Sequence, residues 1–316
     1  MAPSVGAMTL SRALSPLALL LTLAVGSTLP AAAAPVAASA PHAGQQATAH
    51  RGAAADLIDI GSYNIRADRS TKKFSRAVAT FRKHVDVAGL QEVNTGHKTK
   101  ALMRMKGWES YRPASLQQNP VIWRDDVFDQ VAARGAKIAT ARSIGKEGVP
   151  HYRKAQIATV VRLQHLATGR TLSVINVHLV TGGVNGGKCI KAHPKLCALY
   201  ADSVAGLADV VAEEQDWADD EVYVFGDFND HYPADEKFHK KQFAYATLTR
   251  LGMVAHYELR PEQLPNQGSG TRSGAYLDQI WGRQVPVAEK VWRSIKASDH
   301  YPITATYPIL PPVPTP

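Results

Sequence analysis

Cysteine is scarce in this chain, with two in 316 residues, Cys189 and Cys197. That excludes a domain stapled by several disulfides. With His193 between them, the pair still falls short of the ligands of a usual zinc site. No segment repeats at a fixed period, which excludes a solenoid or propeller. Acidic residues are also in deficit, 27 against 36 basic, for a formal charge of +9. The one long apolar run, Ala13 to Leu29, is marginal for a bilayer span, is interrupted by Pro16, and ends in alanines instead of basic residues.

That run has the makings of a leader. Arg12 is the only charge ahead of it, and the small-residue tract Ala31 to Ala34 follows. The pattern predicts a cleaved secretory signal peptide over 1–34, and hence a secreted, extracellular protein; Met8 is an alternative start. Residues 35–55 are mostly Ala, Pro, Gly, Gln and His without apolar periodicity, a composition that reads as a linker or propeptide. Residues 311–316 form a Pro-rich tail. Between them, 56–310 suffice for one α/β domain with a sizeable core. Export makes a Cys189–Cys197 disulfide the expectation, closing a short loop at a gain of about 2–3 kcal/mol. The basic excess is partly clustered, at Lys72, Lys73, Arg76, Arg82 and Lys83, then at Lys98, Lys100, Arg104 and Lys106. Such clusters attract polyanions, nucleic acid above all, but also occur as plain solvated faces.

Short β-branched runs alternate with helical patterns. Strands are predicted over Leu57 to Tyr63, Val87 to Leu90, Pro120 to Trp123, Gln156 to Leu163, Leu172 to Leu179, Glu221 to Phe225, Tyr276 to Trp281 and Tyr301 to Tyr307. Phe74, Val78, Phe81 and Val85 fall at helical spacing, and Leu199 to Val211 reads as an amphipathic helix. Hairpins mixed with helical crossovers imply two packed sheets with helices outside. Polar residues recur at the strand ends: Asn64, Glu92, His178, Asp227 with Asn229, Asp278, and Asp299 with His300. One acid after a strand is commonly a turn former. An ordered series of them is the way an α/β protein assembles a site from converging loops.

The series Ser62-Tyr-Asn-Ile-Arg66, Gly89-Leu-Gln-Glu-Val93, Asn176-Val-His-Leu179, Gly226-Asp-Phe-Asn229, Leu277-Asp-Gln-Ile280 and Ser298-Asp-His300 resembles the motif set of the endonuclease/exonuclease/phosphatase superfamily. The resemblance implies a DNase I-like four-layer α/β/β/α sandwich and hydrolysis of phosphoric esters. It implies Mg²⁺ as cofactor, with Mn²⁺ or Ca²⁺ as alternatives, since hard oxygen ligands suit all three. Glu92, Asn64 and Asp299 would hold the metal, and Asp278 would orient His300. His178 would face the phosphate as second imidazole, while Asp227 and Asn229 orient the attacking water, with Asp227 the candidate base. Arg66, Arg153 and Asn176 fall where the substrate phosphate is contacted.

The chain departs from particular members. Val93-Asn94 follow Glu92 where DNase I-like enzymes often carry arginine. Arg66 replaces an aspartate typical of abasic-site endonucleases, and Ala275-Tyr-Leu-Asp278 stands in place of the Trp-Cys-Asp-Arg of inositol phosphatases. The expectation is a monomeric nuclease acting on DNA, and on RNA as a further substrate, with no stable protein partner. The alternatives are a phospholipase C or sphingomyelinase, a phosphomonoesterase, and an inactive binding module. A lipase would need Phe238, Phe243 and Tyr245 in an exposed loop, although Lys237, Lys240 and Lys241 there also suit an anionic polymer. Inactivity is disfavoured because no motif residue is lost.

Overall fold

The computed structural model describes residues 56–309 apart from 115–117, 146–151, 219–220 and 260–273. The expected leader, linker and Pro-rich tail lie outside the described residues. The chain begins with β1 (Asp56–Asn64), α1 (Thr71–Phe81), β2 (Val87–Gln91), α2 (Gly96–Leu102), β3 (Trp108–Tyr111) and β4 (Val121–Arg124). The long β5 (Phe128–Ala139) precedes the short β6 (Arg142–Ser143) and β7 (Tyr152–Arg153), then β8 (Gln156–His165) and β9 (Thr171–His178). After β10 (Val184–Asn185) and β11 (Lys188–Cys189) come α3 (Pro194–Trp217), β12 (Val222–Asp227), α4 (Tyr232–Phe238) and α5 (Ala244–Arg250). The strands β13 (Val254–Ala255), β14 (Asp278–Gly282), β15 (Ala288–Val291) and β16 (Ile303–Ile309) complete it.

Two six-stranded sheets result, ordered β15-β16-β1-β2-β4-β3 and β13-β14-β12-β9-β8-β5. Each contains one parallel pair, β1 with β2 and β9 with β12, whose crossovers carry α1 and α3 respectively. Three apolar clusters separate the layers. One lies between α1 and the first sheet, around Phe74, Val78, Phe81 and Leu90. A second lies between the sheets, around Ile60, Val174, Phe225 and Ile280. The third lies between the second sheet and α3, around Val177, Val204, Leu207 and Val224. This is the expected four-layer sandwich.

The strands expected from the sequence form, with ends shifted by a residue or two, and the helix expected over Leu199 to Val211 extends to Pro194–Trp217. β5 carries no sequence signal, because it is an edge strand of which Asp129 to Ala132 are exposed. Two register shifts also break its alternation against β8. Phe243, expected in a loop, is buried at the start of α5, where its ring meets Tyr200 edge-on. Cys189 and Cys197 form the expected disulfide, joining the β10–β11 hairpin to the first turn of α3.

Two glycines let the layers approach. A Cβ on Gly89 would lie 2.6 Å from the Asn176 amide and the Phe225 ring. Gly226 has φ +147°, and a Cβ there would meet the Val177 carbonyl oxygen at 1.9 Å. Gly226 thus sets the path of the strand one residue before Asp227, where an L side chain is strained and clashes with backbone. Gly226→Ala is expected to destabilise the domain by about 3 kcal/mol or more, read as a fall in the urea midpoint. A midpoint within error of wild type would contradict this account.

Candidate active site

Strand alternation places one set of side chains between the sheets. On β1 that set is Ile58, Ile60, Ser62 and Asn64; on β12 it is Tyr223, Phe225 and Asp227. Each inner face therefore starts apolar and ends polar at the carboxyl end of its parallel pair. The ladders align Asp227 with His178 on β9 on one side and with Asp278 on β14 on the other. In the facing sheet Asn64 stands beside Gln91, and Glu92 follows it.

Asp227, 2 % exposed, is the hub. Its Oδ2 accepts from Asn64 Nδ2 at 3.0 Å and faces His178 Nε2 at 3.5 Å and His300 Nε2 at 3.8 Å. Its Oδ1 accepts from the Asn229 backbone N–H at 2.9 Å, while Asn229 Nδ2 donates to the Leu179 carbonyl. His300 is buried, and its Nδ1 meets Asp278 Oδ2 at 2.7 Å. Burial opposes its positive charge, but Asp278, Asp227 and Asp299 outweigh burial and push the imidazole up to about 9. His300 is thus a cation at neutral pH, donating through Nδ1 to Asp278 and presenting Nε2–H toward Asp227.

Both walls of the site use unusual backbone. Among the described residues four non-glycines have positive φ, and Arg66, Glu92 and Asn229 are three of them. Strain held by surrounding structure is a mark of functional sites. Glu92 Oε1 accepts from Asn64 Nδ2 at 3.1 Å, and its Oε2 from the Ala67 N–H at 2.6 Å. Arg66 donates its backbone N–H to Asn64 Oδ1, pairs with Asp68 at 2.8 Å, and lies 3.8 Å from Asp299.

A family model described as the endonuclease/exonuclease/phosphatase family matches residues 61–300. The chain belongs to this family. It is therefore a phosphoesterase of the endonuclease/exonuclease/phosphatase group. No curated protein matches by sequence. Solved structures share the fold at low identity. A mannosyl-6-phosphatase from Bacteroides thetaiotaomicron matches at 14 % identity over 80 % of this chain and 100 % of its own, with TM-score 0.57. The human Nocturnin catalytic domain with bound sulfate matches at 14 % over 81 % and 98 %, also at 0.57. The D. rerio TDP2 complex with a single-stranded DNA product matches at 13 % over 79 % and 98 %, with TM-score 0.52.

Family enzymes in general depend on a divalent metal. Asp227, Asp278 and His300 offer ligand atoms within 4.8 Å of one another and form one candidate set. A cation bound there through His300 would have to displace a proton from the imidazolium. The chemistry of the other set, Glu92, Asn64 and Asp299, fits better, for it supplies hard oxygens without that competition. Glu92 is also fixed in direction by two donors while each of its oxygens keeps a lone pair.

The motif residues Asn64, Glu92, His178, Asp227, Asn229, Asp278, Asp299 and His300 thus come together, with Arg66 at the rim. Asn176 does not join them as a phosphate ligand. It is fully buried between the sheets, its amide donating to the Leu90 and Pro120 carbonyls at 3.0 and 2.8 Å and its Oδ1 accepting from Gln91. With both donors used, Asn176 braces the sheets and cannot reach substrate. Arg153 stands in the two-residue β6–β7 ladder opposite Arg142, and no contact among the described residues links it to Asp227 or the histidines.

Two further residues shape the site without a signal of their own in the sequence. Gln91, within Gly89-Leu-Gln-Glu-Val93, bridges Ser62 and Asn176. Lys98, counted in a basic cluster, is 1 % exposed and donates to the Ala67 carbonyl at 2.9 Å and to Asn94 Oδ1 at 3.0 Å. It thereby holds the turn that carries Arg66, and burial lowers its pKa. Nothing in a lysine one helical turn after an asparagine marks this in advance.

Activity that requires the His300 imidazolium is expected to fall as pH rises through about 9. The same charge contributes stability that is complete below the unfolded value near 6.5 and is lost as pH rises through about 9. In Asp278→Asn the falling limb of the kcat/KM profile should move down by about 1–2 pH units. An unmoved limb would exclude His300 as the group that controls it.

Proposed function

We propose that the protein is a secreted, metal-dependent nuclease that hydrolyses DNA, with RNA as a further substrate, by water attack on the phosphodiester. The observation that carries this reading is a groove of about 380 Å³ lined by Arg69, Lys73, Arg76 and Lys296 and by no acidic side chain. It adjoins the site: the Arg69 N–H donates to the Arg66 carbonyl, and Ala297, which also lines the groove, lies two residues before Asp299. Lys73, Arg76 and Thr80 come from one face of α1. A line of cations leading away from the reacting centre suits a chain of phosphates better than a lone phosphomonoester. The lipid alternative loses support, since Phe243 is core and Tyr245 packs against Tyr232 and Trp281. The disulfide fits the oxidising compartment that the leader implies.

In the proposed reaction Asp227 takes a proton from the attacking water as the new P–O bond forms. The leaving oxygen departs with a proton from the His300 Nε2–H. His178 and Arg66 donate to the non-bridging oxygens. A divalent cation, when bound, supplies charge neutralisation on those oxygens.

Digestion of supercoiled plasmid with Mg²⁺ and with EDTA, beside sphingomyelin and a phosphomonoester, tests the reading. Metal-dependent nicking without turnover of the other two is expected. Release of phosphocholine or inorganic phosphate with an intact plasmid would overturn it. Glu92→Ala and His300→Ala should each cost about 10²-fold or more in kcat while folding normally. Lys73→Ala with Arg76→Ala should raise KM for DNA and reduce the log–log salt slope by about 2, leaving kcat near wild type. An unchanged slope would remove the groove from the DNA path.

A further inference from the structure

Lys98 touches none of the reacting groups, yet the placement of two of them runs through it. It stands in the first turn of α2, and its buried Nζ lies 5.6 Å from the centre of the Phe74 ring of α1. An ammonium has three donors, and three oxygens surround this one. They are the Ala67 carbonyl at 2.9 Å, Asn94 Oδ1 at 3.0 Å and the Arg66 carbonyl at 3.5 Å. Lys98 has no ion-pair partner among the described residues. A buried cation without a counter-ion carries a desolvation cost, and a methionine of similar length would fill the same space against Phe74. Packing alone therefore does not account for a lysine here.

The peptide that joins Arg66 to Ala67 accounts for it. The carbonyl of that peptide faces Lys98 and also accepts from the Arg69 N–H at 3.2 Å, while its N–H donates to Glu92 Oε2 at 2.6 Å. The next carbonyl, that of Ala67, makes the shorter contact with Lys98. Arg66 is left-handed, with φ 51°, a bend that a non-glycine residue keeps only where its surroundings hold it. Lys98 thus grips the peptide on one side and Glu92 is aimed by it on the other, while the Arg66 guanidinium leaves the same bend. We propose that Lys98 is a positioning residue for the hydrolytic reaction. It locks the Arg66–Ala67 peptide so that the N–H holds Glu92 in its metal-binding direction and Arg66 is turned to the substrate phosphate. This rests on the reading of Glu92 as a metal ligand and of Arg66 as a phosphate contact. Groups that fix the direction of a metal ligand commonly change metal affinity or activity by about 10–100-fold when removed.

The test compares the chelator-treated full chain with its Lys98→Met and Glu92→Ala variants. Calorimetric titration with MnCl₂ should give a Kd about tenfold or more weaker for Lys98→Met. Its kcat on plasmid at saturating Mg²⁺ should fall by about tenfold or more, because Arg66 loses its aim as well. The log–log salt slope, which reads the cationic groove along α1, should stay at the wild-type value. A merely structural lysine would do the reverse, lowering Tm and moving the slope while the folded chain keeps its Mn²⁺ affinity. Should Lys98→Met fail to fold, Lys98→Gln, whose amide can still donate, is the comparison, with a smaller loss of Mn²⁺ affinity expected. Unchanged Mn²⁺ binding in the folded Lys98 variant, where Glu92→Ala loses it, would overturn the proposal and leave the nuclease reading standing. A wild-type chain that takes no Mn²⁺, or Glu92→Ala that binds it equally well, would overturn the metal assignment itself, and this inference with it.

Discussion

Asn64 donates across the gap between the two sheets to Asp227 and, with the same amide nitrogen, to Glu92. The site depends on that bridge. Glu92 belongs to one sheet and Asp227, His178 and Asp278 to the other, so the reacting groups are in register only while the sheets are. Further in, Asn176 performs the same service with its amide on Leu90 and Pro120, and Asn119 returns a bond to the Asn176 carbonyl. Apolar packing holds the sheets together without fixing their offset, because it is not directional. Buried amides that must find their partners do fix it.

The bridge also concentrates charge. Glu92, Asp227, Asp278 and Asp299 converge on a few cationic groups, and the burial of His300 would discharge it were Asp278 not within hydrogen-bond reach. The carboxylates hold the imidazole as a cation, which in the proposed reaction is the acid, while Glu92 would take a hard metal ion. The positive φ of Arg66, Glu92 and Asn229 shows that the backbone is bent to present these groups, and the neighbouring bonds to Ala67, Asn64 and Leu179 hold the bends in place.

Much of this was legible in the chain. Short apolar, β-branched runs over Leu57 to Tyr63 and Leu172 to Leu179 mark strands, and the polar residue at the end of each run marks where the site stands. Motif order also carries the pairing of Asp278 with His300, since each motif sits on its own strand end. The failures share a cause. Asn176 lies two residues before His178, on the same inner face, yet one step down the strand is the difference between facing the cleft and being sealed between sheets. Lys98 belongs by its neighbours in sequence to a solvated basic face, and by its neighbours in space to the turn at Ala67. Edge strand β5 shows no alternation, because its pairing with β8 slips register twice.

The sequence by itself determined what is local or periodic: the strands with two apolar faces, the amphipathic helices, the glycine before Asp227, and a series of hydrolytic residue types in motif order. The tertiary structure alone decided depth and partnership. It settled which oxygen of Asp227 meets Asn64 and which asparagine is a brace. It likewise buried Asp230 and Asp235, which lie in a stretch rich in polar residues. The physical reason is that propensity and alternation act over a few residues, whereas burial, and with it pKa and the need for a partner, depends on what packs from the far side of the fold.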